Sequence, residues 1–393
     1  MFFFGSAFYR NRHFIAFAGI VFVFIGTLAL GQQPTPAPAS GKSGSAPIAT
    51  ASADPTTSQA AHPSAPETQV PGIDSKTGTP LYETIQEDWS SLGIGTSKLE
   101  PEKPLVAPTE EQATFTRTLV RLQWRPGDPM DLWILLPKGV KKPPVVLYLY
   151  GYDQDTGRFK NDRWAERVTT GGVAAVGFVS ALSGHRFHDR PLKQWFVSEL
   201  QESVGSTVHD VKFILDYLAE RGNLDMNRVG MFGEGSGGTI AILAAAADSR
   251  IKAIDTLEPW GDWPEFLAKS AVVAQDPDHA DYVKPDFLKR VAPLDPVKWL
   301  PELKVPIRIQ QVKEGDTTPM EVKEAVASAA PKKASIMRFE TDSDMSDREG
   351  GGRLFDWIKE QLLAANAGSG DASVADGKTV RPPANGSGPS SQR

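Results

Sequence analysis

The stretch RVGMFGEGSGGTIAILAAAAD, Arg228 to Asp248, joins a short apolar run to a glycine cluster and then to an alanine-rich segment. Val229 to Phe232 is too short for anything but a strand. Thr239 to Ala247 is apolar on every side, as a helix buried inside a layered α/β structure is. Between them stands Gly233-Glu234-Gly235-Ser236-Gly237-Gly238. Two chemistries use a strand, a sharp glycine turn and a helix in that order. One turn presents a nucleophilic serine, G-x-S-x-G; the other cradles a dinucleotide phosphate, G-x-G-x-x-G. The second is matched literally, the first with one substitution.

The rest of the chain narrows the choice. Its 393 residues, 40% hydrophobic and 23% charged, suffice for one large α/β domain of roughly 250 to 280 residues with extensions. A formal net charge of −6 leaves no basic footprint for nucleic acid. The absence of cysteine removes disulfides, zinc-thiolate sites and a thiol nucleophile. Phe14 to Leu30 is uncharged and apolar, preceded by Arg10 and Arg12 and followed by no charge until Lys42. That asymmetry predicts an exported chain, periplasmic or extracellular. A length of about 17 residues fits either a cleaved signal peptide or a retained membrane anchor. Residues 32–80 are rich in Pro, Ala, Ser and Thr and read as a disordered tether, and 366–393 read as a disordered tail. The folded domain is placed at 81–365.

Within that domain a helix is expected around Tyr82 to Leu92. Phe115 to Trp124 and Met130 to Leu136 alternate as a hairpin around Arg125-Pro126-Gly127-Asp128. Pro144 to Tyr150 and Val173 to Ser180 read as strands covered on both faces, with a helix at Arg163 to Val168 between them. Ser206 to Arg221 carries Val208, Val211, Ile214, Leu215 and Leu218 on one face. Thr207 and Asp210 read as its capping box, Gly222 as its stop, and His209 as solvated opposite the apolar stripe. Strands at Ile251 to Thr256, Val305 to Val312 and Ser335 to Phe339 follow, with a helical insert near Asp262 to Arg290 and a closing helix at Arg353 to Leu363. A hairpin followed by βα units predicts an α/β fold with one mostly parallel sheet and helices on both faces.

This order of elements, with LDYLAERGNLDMNRVGMFG leading into the turn and PLDPVKWLPELKVPIRIQQVKEGDTTP after the insert, resembles the α/β-hydrolase superfamily, above all its dienelactone-hydrolase and prolyl-oligopeptidase-like members. The resemblance spans roughly Thr114 to Ala365. It implies an ester or peptide hydrolase with a serine at the elbow, then an acid, then a histidine. Tyr150-Gly151-Tyr152 stands where the family places its oxyanion turn, and Asp316, in Glu314-Gly315-Asp316-Thr317-Thr318-Pro319, where it places the acid. Aligning Gly233 and Gly237 with the flanking glycines puts Gly235 where the serine belongs. The resemblance places the histidine in the loop about five residues past the last strand, where Asp344 stands, and no histidine follows His279. Both substitutions remove what serine hydrolysis needs, a hydroxyl to attack and a neutral imidazole to take its proton.

The expectation is therefore a hydrolase-fold protein without hydrolase activity that binds a small-molecule ligand in its cleft, or a protein partner, with no cofactor and no metal. Two alternatives remain open. In the first, Ser236 is the nucleophile, with His185 or His188 of SGHRFHDRP as a displaced base oriented by Asp189 or Glu258. Glu234 then takes a flanking position that the strained turn reserves for glycine, and the competing role for Ser236 is a helix N-cap. In the second, Gly233, Gly235 and Gly238 bind a dinucleotide, and Asp255, about 17 residues beyond Gly238, bonds its ribose. Trp195, Phe196, Trp260 and Trp263 fall near the same cleft, where core packing is their default.

Overall fold

The computed structural model describes residues 87–364, apart from 96, 98, 126, 152–155, 182–185 and 187–195. The strands before Val145 follow one another directly, and from there on every strand is separated from the next by helical segments. The strands are β1 (Leu105–Val106), β2 (Glu110–Glu111), β3 (Phe115–Leu122), β4 (Met130–Pro137), β5 (Val145–Leu149), β6 (Ala174–Phe178), β7 (Val229–Glu234), β8 (Ile251–Leu257), β9 (Ile307–Val312) and β10 (Ser335–Phe339). They form one 10-stranded sheet in the order β1-β3-β4-β6-β5-β7-β8-β9-β10, with β2 paired to β3. β3 and β4 are the expected antiparallel hairpin, and β4 is antiparallel to β6. From β6 to β10 every neighbouring pair is parallel.

The two faces of the sheet are covered separately. β5 is buried at every position. Yet Val145, Leu147 and Leu149 join one core, with the helices Leu200–Glu220, Ser236–Ala247 and Met320–Ala329, while Val146 and Tyr148 join another, with Asp162–Thr169 and Asp356–Ala364. The period of two survives inside an unbroken apolar run, because side chains of successive strand residues leave opposite faces. Since β6 lies outside β5 in the order, the chain leaves β5 toward one edge and returns past it to β7. Between the carboxyl ends of β5 and β7 this reversal opens the crevice in which α/β sheets place their sites.

Four local expectations are corrected. The described part of the expected helix 82–92 is turns, because the Asp88 carboxylate accepts from the Ser90 amide and hydroxyl, 3.0 and 2.5 Å, an alternative to helical bonding. The helix expected from Ser206 begins at Leu200. Thr207 and Asp210 are no capping box: both are fully buried inside the helix and bond outward from it, Thr207 taking the Ala181 amide at 3.0 Å. His209 is fully buried rather than solvated, its Nδ1 2.5 Å from Glu87 Oε1 and its Nε2 2.8 Å from the Ser91 carbonyl. These residues share a buried ionic cluster in which Arg125 grips Glu87 through Nε and Nη2, 2.7 and 2.6 Å, and donates from Nη1 to Asp210 at 2.5 Å. Arg186 closes it, holding Asp128 bidentately at 2.8 and 2.6 Å and Asp210 at 2.5 Å. Periodicity misread these polar positions because each is paid for by a partner more than twenty residues away in sequence.

Among the described residues no helix is long and apolar enough to cross a membrane; Phe14 to Leu30 lies outside them, as do the tether and the tail.

The fragment 81–365 keeps the whole cluster and is expected to unfold cooperatively. Glu87→Ala in the full chain should cost about 3–5 kcal/mol in denaturant melts, since it removes the buried partner of Arg125 Nε and Nη2 and of His209 Nδ1; a loss below about 1 kcal/mol would mean that they are not paired as described. Burial opposes ionisation of Glu87, but hydrogen bonds from Arg125 and His209 outweigh it and hold its carboxyl down at about 2. The folded value lies below the unfolded one of about 4.3. The contribution is therefore present above that value and lost as the pH falls toward about 2, which an acid titration of stability checks in wild type against Glu87→Gln.

Candidate functional site

The crevice floor is built by backbones pressed together. A β-carbon at Gly237 would lie 2.1 Å from the Leu149 carbonyl oxygen, and one at Gly233 2.2 Å from the Gly237 oxygen. No side chain fits at either place. Gly235 differs: a β-carbon there would meet nothing nearer than Trp260 Nε1 at 3.5 Å, so space is available. Its constraint is conformational, with φ 55° and ψ −123°, a region that L-residues occupy only under strain. The tip of the turn between β7 and the helix Ser236–Ala247 is thus Gly235. Its amide donates to the Leu257 oxygen at 2.8 Å, and its oxygen takes the Gly238 amide at 3.0 Å. Ser236 is the first helical residue and is 1% exposed.

Gly151 faces this tip from the end of β5, a β-carbon there falling 3.8 Å from the Gly235 Cα. Beside it the Arg158 guanidinium lies over the Tyr150 ring at 4.2 Å and reaches Glu234 Oε2 at 4.0 Å. On the opposite side Trp260 leans toward Gly235 and stacks on Phe266 at 4.8 Å. Trp260 and Trp263 are both buried. A half-buried charged pair and a buried aromatic pair thus both lie near the tip.

The remaining expected residues are spread along the carboxyl edge of the sheet. Asp316 is exposed, after Gly315 with φ 98°. Asp344 is in the first turn of the helix Asp342–Glu349, its carboxylate taking the Glu340 amide at 3.1 Å and lying 3.6 Å from Arg348. His279 Nε2 bonds the Leu267 carbonyl at 2.7 Å, and His209 is committed to the ionic cluster. Tyr152, His185, His188, Asp189 and Trp195 lie outside the described residues.

Asp255 corrects the dinucleotide reading. It is fully buried in β8 and held bidentately by Arg308 at 2.9 and 2.7 Å, with Gln310 at 3.0 Å, so its carboxylate is not at a strand end facing a ribose. Glu258, considered from sequence only as an orienting acid, instead holds neighbouring strand ends together. With φ 51°, it takes the Val312 amide on Oε1 at 2.6 Å and meets Lys323 on Oε2 at 3.0 Å, while Lys323 also bonds the Val312 carbonyl. Burial raises its carboxyl above the ordinary value in spite of Lys323. An acid directly after a mostly buried strand is a visible sign of such a role; Lys323, on an ordinary amphipathic helix, has none.

No family model matches the sequence, and no curated protein does. Solved structures are similar in shape. Acetyl xylan esterase 1 from Thermoanaerobacterium sp. JW/SL YS485 superposes with a TM-score of 0.55 at 15% identity, covering 67% of this chain and 89% of that one. An acetyl xylan esterase from Paenibacillus sp. R4 does so with 0.52 at 17% identity, covering 66% and 89%. At such identities the likeness is one of fold.

Gly237→Ala should fail to give soluble folded protein, because backbone oxygen cannot yield to a methyl group. Gly235→Ser should fold, with a loss of about 1–3 kcal/mol for the positive φ, whereas Gly235→Val should not. Thermal melts of the three variants check the order; equal behaviour of Gly237→Ala and Gly235→Ser would contradict this floor.

Proposed function

The chain has an α/β-hydrolase fold, and we propose that it is an exported member that no longer hydrolyses esters or peptides and uses its crevice to bind a small ligand. The observation that carries this reading is Gly235 at the tip of the elbow, φ 55° and ψ −123°, with no side chain to attack a carbonyl. Asp344, where the resemblance expects a histidine, is bound to its own loop. A carboxylate takes a serine proton near neutral pH only if its own affinity for protons rises by several units. The Arg158–Glu234 pair beside the tip suits binding, since it offers polar handles to a ligand. Export rests on the charge asymmetry around Phe14 to Leu30.

A fluorophosphonate probe is expected not to label the purified protein, and an activated acetate ester should turn over no faster than in buffer. Labelling that disappears in Ser236→Ala would replace this reading with a hydrolase whose nucleophile is shifted by one residue. Gly235→Ser should remain slow for want of a base, and Gly235→Ser combined with Asp344→His should exceed either single variant, general-base assistance being worth about 10²–10⁴-fold.

A periplasmic reporter fused after Lys42 should be active. Activity confined to the cytoplasm would overturn export.

A further inference from the structure

The ionic cluster at the amino end of the domain holds six titratable or charged side chains, none more than 8% exposed: Glu87, Arg125, Asp128, Arg186, His209 and Asp210. Three carboxylates face two guanidiniums. Among the described residues the remaining member is His209, and its bonding calls for a positive charge. Nδ1 faces Glu87 Oε1 at 2.5 Å and Nε2 faces the Ser91 carbonyl at 2.8 Å, both of them acceptors. A neutral imidazole has one N–H and would set its lone pair against one of these oxygens; only the imidazolium donates to both. Protonated, the ring completes its bonds. Without that proton one of them is lost.

Both acceptors belong to one short segment, Glu87 to Leu92. It is applied to the helix Leu200–Glu220 like a strap: a β-carbon at Gly205 would lie 2.4 Å from the Trp89 oxygen, and Leu92 enters the core. Trp89 also walls a cavity of about 90 Å³ with Phe287, Arg290 and Glu199. We propose that His209 is a proton-dependent pin for this strap, holding Glu87 to Leu92 on the helix while both ring nitrogens carry protons and loosening it when one proton is lost.

The groups facing the ring decide which one titrates. From the strap come Glu87 and Asp88, from the β3–β4 turn Arg125 and Asp128, from the segment after β6 Arg186, and from its own helix Asp210, with Lys212 exposed a turn further on. The guanidiniums keep their protons at any ordinary pH. Glu87 ionises at about 2, held there by Arg125 and the ring against the effect of burial. Of the groups in the strap contact, the imidazole is then the one with a proton to lose short of the guanidiniums. The docked state holds the extra proton, so docking is favoured at the acidic end and lost as the pH rises.

Amide hydrogen exchange on the full chain at about pH 5.5 and about pH 8, corrected for intrinsic rates, tests this. Protection across residues 87–95 should fall by about tenfold or more at the higher pH, while β7 and the helix Ser236–Ala247 keep theirs. In His209→Gln the strap should exchange fast at both values, without the pH dependence. Should that variant not fold, nitrogen-detected NMR of the wild-type imidazole decides. Protons on both ring nitrogens wherever the strap is protected support the pin; a neutral His209 under a fully protected strap at about pH 8 overturns it.

Discussion

The Leu149 carbonyl oxygen at the end of β5 occupies almost the place that a β-carbon of Gly237 would need. Much of the architecture depends on this close approach. It brings the first turn of a buried helix against the neighbouring strand end, opposite the point where the sheet reverses its order. Gly233 is required for the same reason, and Gly151 approaches from the other side, a β-carbon there lying 3.1 Å from the Glu234 oxygen. The result is a rigid turn at the carboxyl edge of the sheet, set by backbone packing and indifferent to the side chain at its tip.

That indifference separates fold from chemistry. Where contact excludes a side chain, only glycine fits. At Gly235 there is room, and only the backbone angle favours glycine. A small side chain has room at this position but must carry the strain of the backbone angle, so glycine here relieves strain.

The buried charges follow a different logic. Arg125 with Glu87, Arg308 with Asp255 and Lys323 with Glu258 each cost desolvation that a salt bridge repays only when the geometry is good and the remaining protons and lone pairs are met. The first two are bidentate and make further bonds. Each joins elements distant in sequence: the amino-terminal segment to the first hairpin, β8 to β9, the end of β8 to the helix Met320–Ala329. They act as specific ties between pieces that apolar packing alone would place less sharply.

Strand and helix existence, the hairpin, the parallel β-strands and the glycine turn were legible in the sequence, because period-two and all-apolar runs separated by turn residues reflect local burial. The alignment that puts Gly235 at the tip was also available there, from the spacing of Gly233 and Gly237. Other features were decided by tertiary structure alone. Thr207, His209 and Asp210 have the composition of a helix start and a solvated face, yet they are buried in mid-helix, since their partners Ala181, Glu87 and Arg125 come from other parts of the chain. Asp255 stood at a suitable distance from a glycine fingerprint until Arg308, on the adjacent strand, claimed its carboxylate. Sequence determined which segments are buried; which buried polar groups meet was settled by strand order and helix placement, because a charge can leave water only where a distant partner is brought within reach.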